Sequence, residues 1–168
     1  MKSIKIEIKW ALIFVAVGLL WMFLEKLFGL HGEHIYQHAV YTNLFAIVAV
    51  GIYVFALLDK RRNYYRGTMS YKEGLICGLL VTLFVTILSP FTQYITSFLI
   101  TPEYFPNAID YAVETGRMKR EEAEAFFSYN NYMEQGLIFA PIMGILTSAI
   151  VAIFTKSKGS GNEGPLPV

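Results

Sequence analysis

Residues 75–100 read LICGLLVTLFVTILSPFTQYITSFLI, 26 residues without an Asp, Glu, Lys, Arg or His. A helix rising 1.5 Å per residue needs about 20 apolar residues to cross a bilayer core of about 30 Å. A charge-free run of this length reads as a membrane-crossing helix and sets the terms for the rest of the chain. Windows 10–24, 41–58 and 135–154 are equally free of ionisable residues. The first is short, and its helix is expected to continue to Phe28, giving spans of about 10–28, 41–58, 75–100 and 135–154. Lys2, Lys5 and Lys9 precede it, but Glu25-Lys26-Leu27-Phe28 follows with no small-x-small cleavage pattern. It therefore reads as an uncleaved anchor, not a signal peptide. The fold class is all-α: a polytopic membrane protein with four transmembrane helices, forming one domain over 1–158 and a flexible tail over 159–168.

Composition agrees. Of 168 residues, 55% are hydrophobic and 16% charged, where a soluble domain carries about 25% charged residues. A net charge of +1 supplies no field for nucleic acid, so the expected surroundings are the lipid bilayer, with a homo-oligomer or a membrane-protein partner. The single cysteine, Cys77, excludes an intrachain disulfide framework. The N-terminal tail, the 59–74 connection and the C-terminal tail together hold ten Lys and Arg residues. The opposite side holds four, Lys26, Arg117, Lys119 and Arg120. The bias places both termini in the cytoplasm.

Small residues let membrane helices approach closely. The fourth span carries Gly136, Ala140, Gly144, Ser148 and Ala152 at four-residue spacing, and the third carries Gly74, Gly78, Thr82 and Thr86. Both ridges read first as packing within the chain and second as a surface for assembly. The third span also has a polar stripe, Thr82, Thr86, Ser89, Gln93 and Thr96, at spacings that share one helical face. The stripe reads either as interhelical hydrogen bonding or as a cleft for a small ligand. Pro90 is expected to bend the helix and free a carbonyl for a hydroxyl. The spans lack the ionisable groups that ion-coupled transport needs. Glu25-Lys26, at the end of the first span, reads as a snorkelling or locally paired element.

His31, His34 and His38 are the three histidines of the chain. If the second helix starts near Gly32, His34 and His38 lie one turn apart and His31 can join them. Such a set can bind zinc, copper or nickel, or sense acidification. The 101–134 connection reads as two short amphipathic helices rich in aromatics, with Gly116 ending the first. Phosphate-loop, zinc-protease and nucleophile-elbow motifs are absent from the sequence, and no cofactor is expected.

Several stretches together carry a family resemblance: Asn43-Leu44-Phe45; Tyr71-Lys72-Glu73-Gly74 with Gly78 a turn on; Pro102; Arg120-Glu121-Glu122-Ala123-Glu124-Ala125; and Ser148-Ala149-Ile150-Val151-Ala152. Over roughly 1–158 the chain resembles the small bacterial membrane proteins known as domain of unknown function 4199. The resemblance implies four spans and a bacterial inner-membrane location, and brings no activity or catalytic residue. The expected function is non-enzymatic, through helix assembly or partner binding. The alternatives are a passive transporter or channel along the polar stripe, and a metal- or pH-responsive sensor at the histidines.

Overall fold

Four long apolar helices carry the architecture: α1 (Lys5–Leu27), α2 (Ile35–Asn63), α3 (Tyr71–Tyr94) and, after two short helices, α6 (Tyr129–Thr155). The short helices are α4 (Tyr104–Glu114) and α5 (Arg120–Phe126). A computed structural model describes residues 4–157 and is 82% helical, with no strand among the described residues. Lys2, Lys158 and the 159–168 tail lie outside the described residues. All four long helices are long and apolar enough to cross a membrane, which makes this a multi-pass membrane protein. Exposed Ile47, Leu99 and Phe154 face the lipid.

The helices alternate in direction. At one face, Lys60 pairs with Glu7 at 2.9 Å, Arg61 donates to the Thr155 carbonyl at 2.9 Å, and the Ser157 amide donates to the Met69 carbonyl at 2.9 Å. Both described ends of the chain lie here, so it is the terminal face. At the opposite, loop face, Asn107 donates to the His31 carbonyl at 2.7 Å and Lys26 donates to the Ile100 carbonyl at 2.6 Å.

The helices overrun the charge-free windows, and ion pairing explains why. α1 starts at Lys5 because the Glu7 carboxylate, buried in the packed bundle, meets Lys60. α2 runs on to Asn63 because Asp59 accepts from Lys9 and from Trp10 Nε1, the latter at 2.7 Å. α3 opens with a capping box: the Glu73 amide donates to Ser70 Oγ at 3.3 Å, and the Ser70 amide donates to Glu73 Oε2 at 2.8 Å. This satisfies two of the orphan donors of a helix start.

α3 and α6 form the most extensive helix pair, and small residues explain the closeness. A Cβ added to Gly78 would sit 2.7 Å from Ser148 Cβ, and one on Gly144 would sit 2.5 Å from Thr82 Oγ1. A Cβ on Gly74 would touch Ala152 Cβ at 3.4 Å. The two ridges therefore interlock in antiparallel register, with a glycine facing a side chain at each of these three contacts. Thr82 donates back to the Gly78 carbonyl at 3.0 Å and lies 2.8 Å from the Tyr53 hydroxyl, tying α2 to the seam. The buried core, including Ala11, Leu57, Val81 and Val151, gathers in this terminal half.

Towards the loop face the seam opens. Nothing lies within 4 Å of a Cβ on Gly136. Pro90 has no N–H to give to the Thr86 carbonyl, and that carbonyl accepts from Ser89 Oγ at 2.9 Å instead. Beyond Tyr94 the helix widens through Ile95–Ile100, with the Thr101 amide reaching back five residues to the Thr96 carbonyl at 2.9 Å. Such wide turns are frequent at functional sites.

Candidate functional site

The opening of α3 from α6 leaves a partly open cavity of about 560 Å³ in the loop half of the bundle. α3 contributes Val85, Ser89, Thr92 and Gln93, and the wide turn adds Thr96 and Ser97. α1 contributes Phe14, Gly18 and Trp21, and α6 contributes Tyr132, Gly136 and Ala140. Phe45 packs its ring against Phe14 and Trp21, each at 5.7 Å, and builds the α2 wall.

Apart from Thr82, which bonds Tyr53 of α2, no polar group of the stripe is seen bonded to a neighbouring helix. Ser89 and Thr92 donate to carbonyls of their own helix, and Gln93 donates to Ser97 Oγ at 2.8 Å. Thr101 is 1% exposed, lines the cavity, and has no partner for its hydroxyl. Thr86 Oγ1 is also buried without a partner. Buried polar groups are normally paired, so the Thr101 hydroxyl gives the cavity polar capacity left over, whereas Thr86 does not line it. Among the described lining residues there is no Asp, Glu, Lys or Arg.

The cavity is roofed at the loop face by a cluster drawn from α1, the turn after it, α2, α4 and α6. Glu25, on the last turn of α1, is 3% exposed. Trp21, one turn earlier, donates its indole N–H to Glu25 Oε1 at 2.7 Å. The other oxygen, Oε2, lies 3.2 Å from His31 Nε2 and 3.4 Å from His38 Nε2. His31 is held because Asn107 of α4 grips its carbonyl. The Tyr104 ring packs on both imidazoles, at 5.2 Å and 5.0 Å between centroids, and its hydroxyl lies 3.1 Å from that of Tyr132. Burial, and then Tyr132 beside it, push the Tyr104 phenol well above its ordinary value, so it acts as a neutral hydroxyl. His31 Nδ1 and His38 Nε2 are buried without a hydrogen-bond partner.

His34 does not join this cluster. α2 starts at Ile35, and His34 is its N-cap residue in a non-helical conformation. The turn before it uses Gly29 at φ +73°, with the His34 amide bonded to the Gly29 carbonyl. This sends the His34 ring into a separate hollow of about 470 Å³, behind Trp21, with Gln37 and Tyr41. The place beside His31 and His38 is taken by Glu25. One signal for it was in the sequence: Trp21 and Glu25 sit one turn apart where the apolar stretch of α1 ends.

The ridge residues divide in the same way. Gly74, Gly78, Thr82, Gly144, Ser148 and Ala152 meet across the α3–α6 seam, whereas Ala140 and Gly136 border the cavity.

A family model described as a protein of unknown function (DUF4199) matches residues 9–157, nearly the whole described chain. The chain belongs to this family. Comparison with curated proteins and with solved structures finds no match. For this DUF4199 member, seam, cavity and roof all fall inside the matched residues.

Proposed function

We propose that this protein is a non-enzymatic membrane receptor or carrier that holds a neutral, amphipathic small molecule in the loop-half cavity. The observation that carries the reading is the loop half of the polar stripe of α3, Ser89, Gln93 and Thr96 with Thr92 beside them, which faces an internal cavity instead of another helix. The volume falls within the range of about 300–1,000 Å³ of small-molecule sites, which are largely apolar with a few placed polar groups. A charged ligand would meet no opposite charge on the walls, and an unpaired buried charge is costly, so a neutral ligand fits. The closely packed part of the ridges, Gly74, Gly78 and Thr82 against Gly144, Ser148 and Ala152, is engaged within the chain, which favours a ligand over a second copy as what this fold recognises. The Lys and Arg bias supports an orientation with both termini in the cytoplasm of a bacterial inner membrane.

The test is thermal unfolding of the purified protein in detergent with dodecanol and with dodecylammonium. Ligand at 100 times its dissociation constant stabilises by about 2.7 kcal/mol. Dodecanol is expected to raise the midpoint and dodecylammonium to leave it unmoved. A midpoint indifferent to dodecanol, or raised equally by both, overturns the reading.

A further inference from the structure

The roof has a chemistry that the cavity does not require. Glu25 is a buried carboxylate, and among the described residues no Lys or Arg pairs with it; its neighbour Lys26 turns instead to the Ile100 carbonyl and to Glu103 at 3.3 Å. A buried charge without a counter-charge is costly, and natural proteins supply a partner or a metal. Both imidazoles point a ring nitrogen at one oxygen of this carboxylate, although one neutral imidazole would satisfy it. His38 Nε2 is left 3.4 Å away without a hydrogen bond of its own.

The two separations from the carboxylate fit a shared metal. Zinc binds imidazole nitrogen at about 2.0–2.1 Å and carboxylate oxygen at about 2.0–2.2 Å, so the edges of a tetrahedral site are about 3.3–3.5 Å. Glu25 Oε2 stands 3.2 Å from His31 Nε2 and 3.4 Å from His38 Nε2, and one ligand atom from each of the three residues lies within 4.8 Å of the others. The outer surroundings are in place as well: Trp21 holds the second carboxylate oxygen, Asn107 holds the His31 backbone, and Tyr104 packs against both rings. Such groups fix the orientation of metal ligands.

We propose that Glu25, His31 and His38 form a binding site for one divalent transition ion of the zinc class, with His34 outside it. Two imidazoles and one carboxylate leave a fourth position for water, and His38 and Tyr104 border the cavity from which water reaches it. The ion binds the buried carboxylate and takes up the His38 nitrogen, which faces the carboxylate at 3.4 Å without a hydrogen bond; His31 Nδ1 keeps its present surroundings. The proposal does not rest on the ligand reading, since the three side chains converge whether or not an amphiphile fills the space below them.

The experiment loads the full-length, chelator-stripped protein in detergent with cobalt(II), followed by zinc competition. Wild type is expected to bind one cobalt per chain, with the intense visible absorption of a tetrahedral site, and to lose it to zinc. Glu25→Gln and His38→Ala are expected to weaken binding at least tenfold, while His34→Ala leaves it unchanged. A wild-type protein that binds no cobalt, or shows only the weak absorption of an octahedral surface ion, overturns the site. So does a His34→Ala loss equal to that of His38→Ala. The wild-type spectrum tests whether a tetrahedral site exists, and the variants that assign its ligands are compared only where each keeps a cooperative unfolding transition, so that misfolding is not read as loss of the site. Dodecanol is absent throughout, so failure here and failure of the ligand reading are separate results.

Discussion

The two halves of this bundle are built from the same helices and follow opposite rules. In the terminal half α3 and α6 interlock glycine against side chain, and even the ionisable groups are paired, Glu7 with Lys60 and Asp59 with Lys9. In the loop half the same helices part around a cavity of about 560 Å³, and hydroxyls and imidazole nitrogens lie buried without partners. Lipid tails give helices no hydrophobic reason to associate, so packing and hydrogen bonds must hold them. The terminal half holds the bundle together, which leaves the loop half free to keep space and unspent polar capacity. Small-residue spacing alone does not separate these roles, because Gly136 and Gly144 belong to one ridge and do opposite things.

The sharpest way to break the terminal half is to strand a charge. Lys60 and Glu7 are both nearly fully buried, and Glu7 Oε2 already lacks a partner. Lys60→Met leaves the carboxylate without its ammonium, and breaking a buried pair costs about 3–5 kcal/mol. Unfolding in detergent should show a fall of that size, largely restored by adding Glu7→Leu, since an apolar replacement of both partners is often neutral. A full loss that the second substitution does not relieve would mean that the pair is not what holds α1 to α2.

Gly144→Leu comes next. The added side chain enters the space of Thr82 at the closest point of the seam, and overpacking a well-packed core costs about 1–3 kcal/mol. Folded yield and unfolding midpoint should both fall within the monomer, and a variant that keeps its midpoint but loses a dimer would return the ridge to assembly. Tyr53→Phe is milder. It removes one buried hydrogen bond to Thr82, worth about 1 kcal/mol, and should lower the midpoint accordingly.

Much of the fold was legible in the residues, the contrast between its halves was not, and the illegible part has a physical cause. Four spans, two short loop helices and both ridges follow from local periodicity, and each is a property of one helix at a time. What pairs with what is not local. Whether His34 or Glu25 stands beside His38 depends on where α2 starts, and the Gly29–His34 turn moves that start to Ile35. A helix beginning near Gly32 would have put His34 and His38 on one face. Glu25 looked like a residue at the membrane edge, and only the tertiary arrangement of Trp21, His31 and Tyr104 turns it inward. Likewise the stripe on α3 has the same spacing whether it meets another helix or a hollow. The structure assigns Thr82 to the first and Ser89, Gln93 and Thr96 to the second.

The comparison therefore comes down to one substitution made at two places on α6. Gly136→Leu is chemically the same change as Gly144→Leu, two turns away on the same ridge. At Gly136 a Cβ meets nothing within 4 Å, so the leucine needs no backbone shift and fills cavity volume instead. A substitution away from packed or paired features usually stays within about 0.5 kcal/mol, and the apo midpoint should stay within that margin of wild type. The ligand response is where the effect should appear, since the leucine occupies the floor on which a dodecanol chain would lie. Unfolding with and without dodecanol should thus show an unchanged apo protein that no longer gains stability from the alcohol. If Gly136→Leu instead destabilises the apo protein as much as Gly144→Leu does, the loop half is closed in the membrane and the two halves are one packed core. If it leaves the dodecanol shift intact, the cavity is not where the alcohol binds, and the interlocked seam is the sole function of the ridge.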